Sequence, residues 1–100
     1  MVLRPVRQLV HSKVDVAVVS TLVLPAAEAR VYVLLANDGD ADMYLRIGGA
    51  AVANEGIPLR VGGSYEMSIP YGNISALEIN ACHIGPSKTR NLLVLEGHNR

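Results

Sequence analysis

Three aspartates are the residues of this chain whose spacing comes nearest to a metal site. Asp38, Asp40 and Asp42 have the alternate spacing that opens a calcium-binding loop. The twelfth position counted from Asp38 is Gly49, where such a loop needs a bidentate glutamate, and no helical pattern flanks the segment. The alternative is an acidic hairpin turn that its charges keep in water. We therefore expect no calcium site.

The cysteine and the histidines offer thiol and imidazole chemistry. Cys82 and His83 are neighbours, and an extended strand sends neighbouring side chains to opposite faces, so without a turn at that point they cannot act together as nucleophile and base. A buried cysteine beside a surface histidine is the expected arrangement. His11, His83 and His98 lack the spacing of zinc ligands. We expect no catalytic residue, no metal and no cofactor, and hence not an enzyme.

Glycine pairs and tyrosines are the remaining groups that could bind a ligand. Gly48-Gly49 and Gly62-Gly63 are not followed by a helix whose amides could hold phosphate, so we interpret both as turns between strands. The four tyrosines, which are the only aromatic residues, could stack on a sugar if two of them were exposed. The alternative is that they are half-buried with wet hydroxyl groups.

Composition limits the class of protein. The chain has 100 residues, half of them hydrophobic but none of them Phe or Trp, with nine basic and nine acidic side chains. This balance gives no reason to expect nucleic acid as a partner. No window approaches the ~20 apolar residues of a membrane span, the start lacks a signal-peptide pattern, and one cysteine permits no internal disulfide. We expect one soluble domain made in a reducing cytoplasm, without a membrane partner.

Short strands separated by turns dominate the rest of the chain. Period-two alternation, β-branched residues and Gly/Pro turns predict strands at residues 14–24 (with a bend at Ser20-Thr21), 30–37, 42–47, 57–61, 64–69, 74–82 and 90–96. Within 74–82 we expect Leu77, Ile79 and Ala81 to point inward. The spacing predicts an all-β fold, a single antiparallel β-sandwich or flattened jelly-roll-like barrel of about seven to eight strands.

Two of these strands are apolar on both faces, although a sandwich leaves one face of each strand in water. They lie at residues 31–36 and 92–95. Unless both faces are covered within one chain, part of this surface lies between subunits. We therefore expect a homo-oligomer, with Leu34, Leu93 and Leu95 as candidates for the oligomer interface.

The N-terminal segment differs from the rest by its charge. Residues 1–13 carry Arg4, Arg7, His11 and Lys13 and no acidic residue. The segment is either a basic arm or the first strand, ahead of a sandwich domain at 14–97 and a short polar tail at 98–100. As an arm it would reach a partner, and Arg4, Arg7 and Lys13 would be the residues that contact it.

An ordered series of motifs resembles a group of small structural proteins of tailed bacteriophages. The motifs are Leu24-Pro25-Ala26, the strand and turn at 30–38, the strand and glycines at 43–49, Gly56 to Leu59, Gly62-Gly63-Ser64-Tyr65-Glu66, and the ending at 92–97. The resemblance covers about residues 22 to 97 and leaves the basic segment outside.

The resemblance implies a non-enzymatic virion protein on the capsid exterior, made in the cytoplasm of the bacterial host. Its expected role is that of a capsid decoration (cement) protein, which bridges subunits of the major capsid protein as a homo-oligomer, by expectation a homotrimer. The capsid-contact candidates are then Arg4, Arg7 and Lys13. The alternatives are a fibre- or tail-associated module that recognises the host through a glycan, and a tail adaptor.

Overall fold

The computed structural model describes residues 7–85 and 90–99. These residues form eight β-strands: β1 (Gln8–Asp15), β2 (Thr21–Leu24), β3 (Arg30–Asn37), β4 (Met43–Ile47), β5 (Ile57–Leu59), β6 (Ser64–Ser68), β7 (Ile79–His83) and β8 (Asn91–His98). The described ranges contain no helix, and hence none that could span a membrane. The predicted all-β class is confirmed.

The strands pair as a long hairpin that has been rolled up. β1 pairs with β8, β2 with β7, β3 with β6 and β4 with β5, all antiparallel. Rolling adds the lateral pairs β3 with β8 and β4 with β7, which gives a first sheet in the order β1-β8-β3-β6 and a second in the order β2-β7-β4-β5. This is the two-sheet, eight-stranded arrangement of a jelly roll, within the predicted fold class.

The core fills the space between the two sheets. Alternate residues of β3 and β8 point into it, because successive side chains of a strand lie on opposite faces. The first sheet contributes Val33, Leu35, Met67, Leu92 and Val94, and the second contributes Met43, Leu45, Leu59, Ile79 and Ala81. The core is therefore built from aliphatic residues and methionine, as the absence of Phe and Trp requires.

The strand predicted at residues 14–24 is wrong in its bounds, because β1 and β2 belong to different sheets and the chain must cross between them. The crossing lies at residues 16–20, where the Thr21 hydroxyl accepts a hydrogen bond from the Ala17 amide (3.0 Å) and donates one to the Val19 carbonyl (3.1 Å). β1 instead begins at Gln8 and so runs across the boundary that we placed between residues 13 and 14. β8 likewise continues to His98, inside the predicted tail.

The strand predicted at residues 74–82 starts later, at Ile79, because a buried arginine binds the backbone before it. Arg30 Nη1 donates to the carbonyls of Ser75 (2.9 Å) and Leu77 (2.7 Å), and Nη2 donates to the Pro25 carbonyl (2.6 Å). The backbone of residues 74–78 is held by the Arg30 guanidinium and is not part of a β-strand. Leu77 is consequently 55% exposed and not inward as expected, whereas Ile79 and Ala81 are buried.

Candidate interaction face and strand edge

The face of the first sheet that points away from the core holds a stripe of apolar side chains. In the strand register Leu95 lies opposite Leu34, and Leu93 lies opposite Ala36. We call Leu34, Ala36, Leu93 and Leu95 the apolar stripe. Leu93 is 41% exposed, Leu34 and Leu95 are half-buried, and these residues line a shallow depression of about 340 Å³. The structure thus brings together the three leucines that were predicted as interface candidates.

The stripe has a basic flank on β1 and an acidic flank on β6. On β1, His11 lies opposite Leu95 and Lys13 opposite Leu93, so both are on the same face as the stripe. On β6, Glu66 lies opposite Leu34. Its Oε2 accepts a hydrogen bond from the Tyr32 hydroxyl, and this bond is the main reason why the pKa of Tyr32 is raised. The face is therefore apolar in the middle and charged with opposite sign at its sides.

The outer edge of β1, which we call its free edge, presents backbone groups that pair with no other strand of the described residues. In an antiparallel pair, alternate residues turn their N–H and C=O toward the neighbouring strand. The Val16 amide donates to the Arg90 carbonyl (2.9 Å), and the register between β1 and β8 continues without a shift. Val14, Ser12 and Val10 therefore face β8, while the backbone groups of the odd-numbered residues Leu9, His11, Lys13 and Asp15 point outward. Seven of the eight residues of β1 are exposed.

The other three sheet edges are protected against pairing. On β6, the Asn73 side chain takes the outward groups: its Oδ1 accepts from the Ser68 amide and its Nδ2 donates to the Glu66 carbonyl, each at 2.9 Å. β5 has three residues, of which Pro58 has no N–H. β2 has four residues and an irregular register between Leu22 and Leu24. In the described part of the chain, β1 has no bulge, proline or capping side chain.

The three residues that were predicted to contact the capsid lie in different places. Lys13 is exposed on the outer face beside the stripe. Arg7 is exposed just before β1, where its amide donates to the His98 carbonyl (2.7 Å). Arg4 lies outside the described residues. Most of the basic segment beyond Arg7 is thus a strand, and it carries its charges along a sheet edge.

Asp42 has a structural role in the acidic turn. Its Oδ1 accepts from the Val61 amide and its Oδ2 from Arg60 Nη1, each at 3.0 Å. These two bonds, that of Val61 first, lower the pKa of Asp42 below its ordinary value. Within residues 7–85 and 90–99, no group of three or more His, Cys, Asp or Glu side chains is placed to hold a metal ion. That the protein needs no metal stays a prediction.

Cys82 and His83 point to opposite faces of the second sheet, and the expected surface position of the histidine is wrong. Cys82 packs with Tyr44 and Ala51 on the outer side, where burial raises the pKa of its thiol. His83 lies opposite Met43, whose side chain is in the core, and is 2% exposed. Neither of its ring nitrogens has a hydrogen-bond partner among the residues that the structure describes.

The tyrosines do not form an exposed pair. Tyr71 is 68% exposed, Tyr44 is buried, and Tyr32 and Tyr65 are half-buried. A single exposed ring gives a sugar one stacking surface, which does not favour the glycan-binding alternative.

Two residues that matter for this face and its edges were missed from the sequence. Asn73 was interpreted only as part of a turn, because its role depends on β6 being an edge strand. The only sign of the role of Arg30 in the sequence is that a charged residue begins an apolar strand. Its partner Glu96 is 66 positions away. No spacing rule connects such a pair.

Comparisons with protein-family models, with curated protein sequences and with solved structures find no match to this chain.

Proposed function

We propose that this protein is a non-enzymatic virion protein of a tailed bacteriophage that decorates the capsid exterior. The outer face of the first sheet would lie on the shell. The observation that carries the proposal is the apolar stripe of Leu34, Ala36, Leu93 and Leu95 with Lys13 beside it, exposed on a broad sheet face. A contiguous apolar patch with a polar rim is typical of a surface that binds another protein.

The charges of the face suit a contact with the major capsid protein. Lys13 and Arg7 stand at the β1 side, where they could meet carboxylates of the shell. Arginine is suited to this because its planar group can bind a carboxylate through two hydrogen bonds. The stripe was predicted to lie between subunits. Because Lys13 shares its face, we now propose the shell as its occupant.

The topology adds support at the level of fold analogy. The rolled-hairpin order is used by viral capsid domains, but also by lectins and cupins. Fold alone therefore does not choose between decoration and the glycan-binding alternative. Decoration requires many weak contacts held at once, and a small homo-oligomer supplies them, because linked contacts gain avidity without new interactions. The trimer implied by the resemblance stays a prediction.

Counting the chain in purified particles tests the proposal. Quantitative mass spectrometry of virions, with the major capsid protein as internal reference, should find hundreds of copies, since a decoration protein covers repeated sites on the shell. A dozen copies or fewer would place the chain in the tail or fibre and favour the host-recognition alternative. Absence from washed particles would overturn the proposal.

A further inference from the structure

We propose that the free edge of β1 pairs antiparallel with β1 of a second copy of this chain, around a two-fold axis at His11. The occupant of the edge is thus the same strand of another molecule. The inference deepens the proposed function, on which it rests for its biological setting, by naming the contact that joins two decoration subunits.

The edge is built to accept a strand. β1 has eight residues without proline, glycine or bulge, and its outward N–H and C=O groups belong to the odd-numbered residues Leu9, His11, Lys13 and Asp15. A long regular edge is a template for pairing with another chain, and monomeric proteins protect such edges. This chain protects β2, β5 and β6 with a register shift, a proline and the Asn73 amide. In the described residues β1 has none of these three devices. The charge of Lys13, which also discourages pairing, is tolerated in a register that keeps the two lysines apart.

Backbone geometry limits the possible registers. Within β1 the outward groups lie on odd-numbered residues, so odd residues of one copy must stand opposite odd residues of the other. An axis at any residue of β1 satisfies this condition. An axis at Lys13 would place two lysines opposite each other, and axes nearer the ends would pair at most three residues of the strand, so axes at Val10, His11 and Ser12 remain. An axis at His11 puts Leu9 of each copy opposite Lys13 of the other and forms about six backbone hydrogen bonds across these residues.

Charge selects among the three registers. An axis at Val10 places Arg7 opposite Lys13, two like charges, and cross-strand like charges are unfavourable. An axis at Ser12 places Leu9 opposite Asp15 and leaves Arg7 without an opposite charge. An axis at His11 brings Arg7, which lies just before β1 and whose own amide bonds to β8, level with Asp15 of the other copy, so that its long side chain can reach that carboxylate and the symmetry allows two pairs of opposite charge.

Asp15 can bind Arg90 of its own chain and Arg7 of the other copy at the same time. Its Oδ2 already accepts from Arg90 Nη2 of its own chain at 3.2 Å, and both side chains are exposed. A carboxylate has two oxygens and about four acceptor positions, so a second guanidinium can bind beside the first.

The paired molecule has one continuous sheet of eight strands. Antiparallel pairing around this axis keeps the outer faces of both copies on the same side, so both apolar stripes point in one direction. A dimer of this kind meets a shell with two equivalent faces. Because the contact is isologous, it gives a dimer and not the trimer that the resemblance implies.

Cysteine cross-linking tests the register. The His11 residues of the two copies stand opposite each other at the axis, with their Cα atoms about 5.5 Å apart. Cysteines at this separation can form a disulfide. The Cα atoms of the two Lys13 residues are about 14 Å apart in this register, which is too far for a disulfide. Under mild oxidation H11C should give a covalent dimer at least tenfold faster than the matched variant K13C. Cys82 is buried and leaves the introduced thiol as the reactive one. Equal rates, or no dimer from H11C, would overturn the register.

Charge exchange tests the same register without a cysteine. R7D and D15R should each weaken dimerisation at least fivefold in sedimentation equilibrium, and the double variant R7D/D15R should restore it. Failure of the double variant to recover, with a circular dichroism spectrum like that of the wild type, would contradict the Arg7–Asp15 pairing.

The two proposals can fail separately. A wild-type protein that stays monomeric at 100 µM but is present in hundreds of copies per particle overturns the β1 pairing and keeps decoration. A dimer with the cross-linking pattern above that is absent from particles keeps the pairing and overturns decoration. A trimer in which H11C does not cross-link overturns the inference in favour of the earlier expectation.

Discussion

Nε of Arg30 donates a 2.7 Å hydrogen bond to Oε2 of Glu96, and both side chains are almost fully buried between β3 and β8. The other nitrogens of the guanidinium bind the carbonyls of Pro25, Ser75 and Leu77. One side chain thus joins the first sheet to two connecting segments. Glu96 supplies the charge that makes the burial of Arg30 tolerable.

Removing that charge should destabilise the fold. We expect Glu96→Gln to lower the free energy of unfolding by about 3 kcal/mol, because it leaves a buried guanidinium without its counter-charge. Urea denaturation followed by circular dichroism measures this. Arg60→Gln, which breaks the exposed pair with Asp42, is the control and should change the stability little. Equal effects of the two variants would mean that the buried pair has no special role.

His83 should be replaceable by an apolar residue. Both ring nitrogens are buried and have no hydrogen-bond partner within residues 7–85 and 90–99, and a polar group in that state costs free energy. His83→Leu should therefore leave the stability unchanged or raise it by about 1 kcal/mol. His83→Ala should lower it, because the variant leaves a cavity. Chemical denaturation of both variants tests this, and a loss in His83→Leu as large as in His83→Ala would contradict it.

The contribution of Asp42 to stability should depend on pH. The hydrogen bonds from Val61 and Arg60 lower its pKa in the folded state below the ordinary value of 3.8. A lowered folded pKa stabilises the protein above the ordinary value, and this contribution is lost as the pH falls through the lowered one. Asp42→Asn should thus melt below the wild type at pH 7, with a gap that narrows below pH 3.8. A gap that is constant between pH 7 and pH 2.5 would refute the assignment.

The apolar stripe should be needed for binding to the shell and not for folding. Leu93→Ser should weaken binding to shells stripped of this protein at least tenfold, because it places a hydroxyl in the middle of the buried surface. Leu22→Ser is the matched control, since Leu22 is an exposed strand leucine of the second sheet. A co-sedimentation assay gives both affinities. If Leu93→Ser instead dissociates the oligomer, the stripe lies between subunits, as the sequence suggested.

Two glycines that both have a positive φ should respond differently to substitution by alanine. Gly56 has a φ of 89°, and a Cβ there would lie 2.5 Å from the Leu45 carbonyl oxygen. Gly72 has a φ of 75° and open space around it. Gly72→Ala should lower the free energy of unfolding by about 1 kcal/mol for the left-handed conformation alone. Gly56→Ala should lower it by clearly more, and similar melting temperatures would contradict the predicted clash.

The fold class could be predicted because it depends on local signals. The alternation of residues 43–47 and the turn after Asn37 are read from neighbouring residues, and both are present in the structure. The leucines of the apolar stripe were found in the same way, since two-sided apolar strands are visible in sequence. Their common face follows from the pairing of β3 with β8, which is a long-range contact.

What could not be predicted depends on side chains that act over long distances in the chain. The late start of β7 follows from Arg30, which is 45 residues before the carbonyl of Ser75 that it binds. The burial of His83 follows from its place opposite Met43. The open edge of β1 is a property of the sheet order, which no spacing of residues reveals.

The amide of Asn73 has a consequence for the growth of any assembly. If β6 were as open as β1, the two edges could join head to tail, and a contact of that kind that does not close extends into a filament. With Asn73 bound to the outward groups of Ser68 and Glu66, a pair joined through β1 ends on both sides in a sheet margin that accepts no further strand. Assembly would then terminate at two molecules, and even at high concentration the product would be a discrete dimer and not a growing sheet.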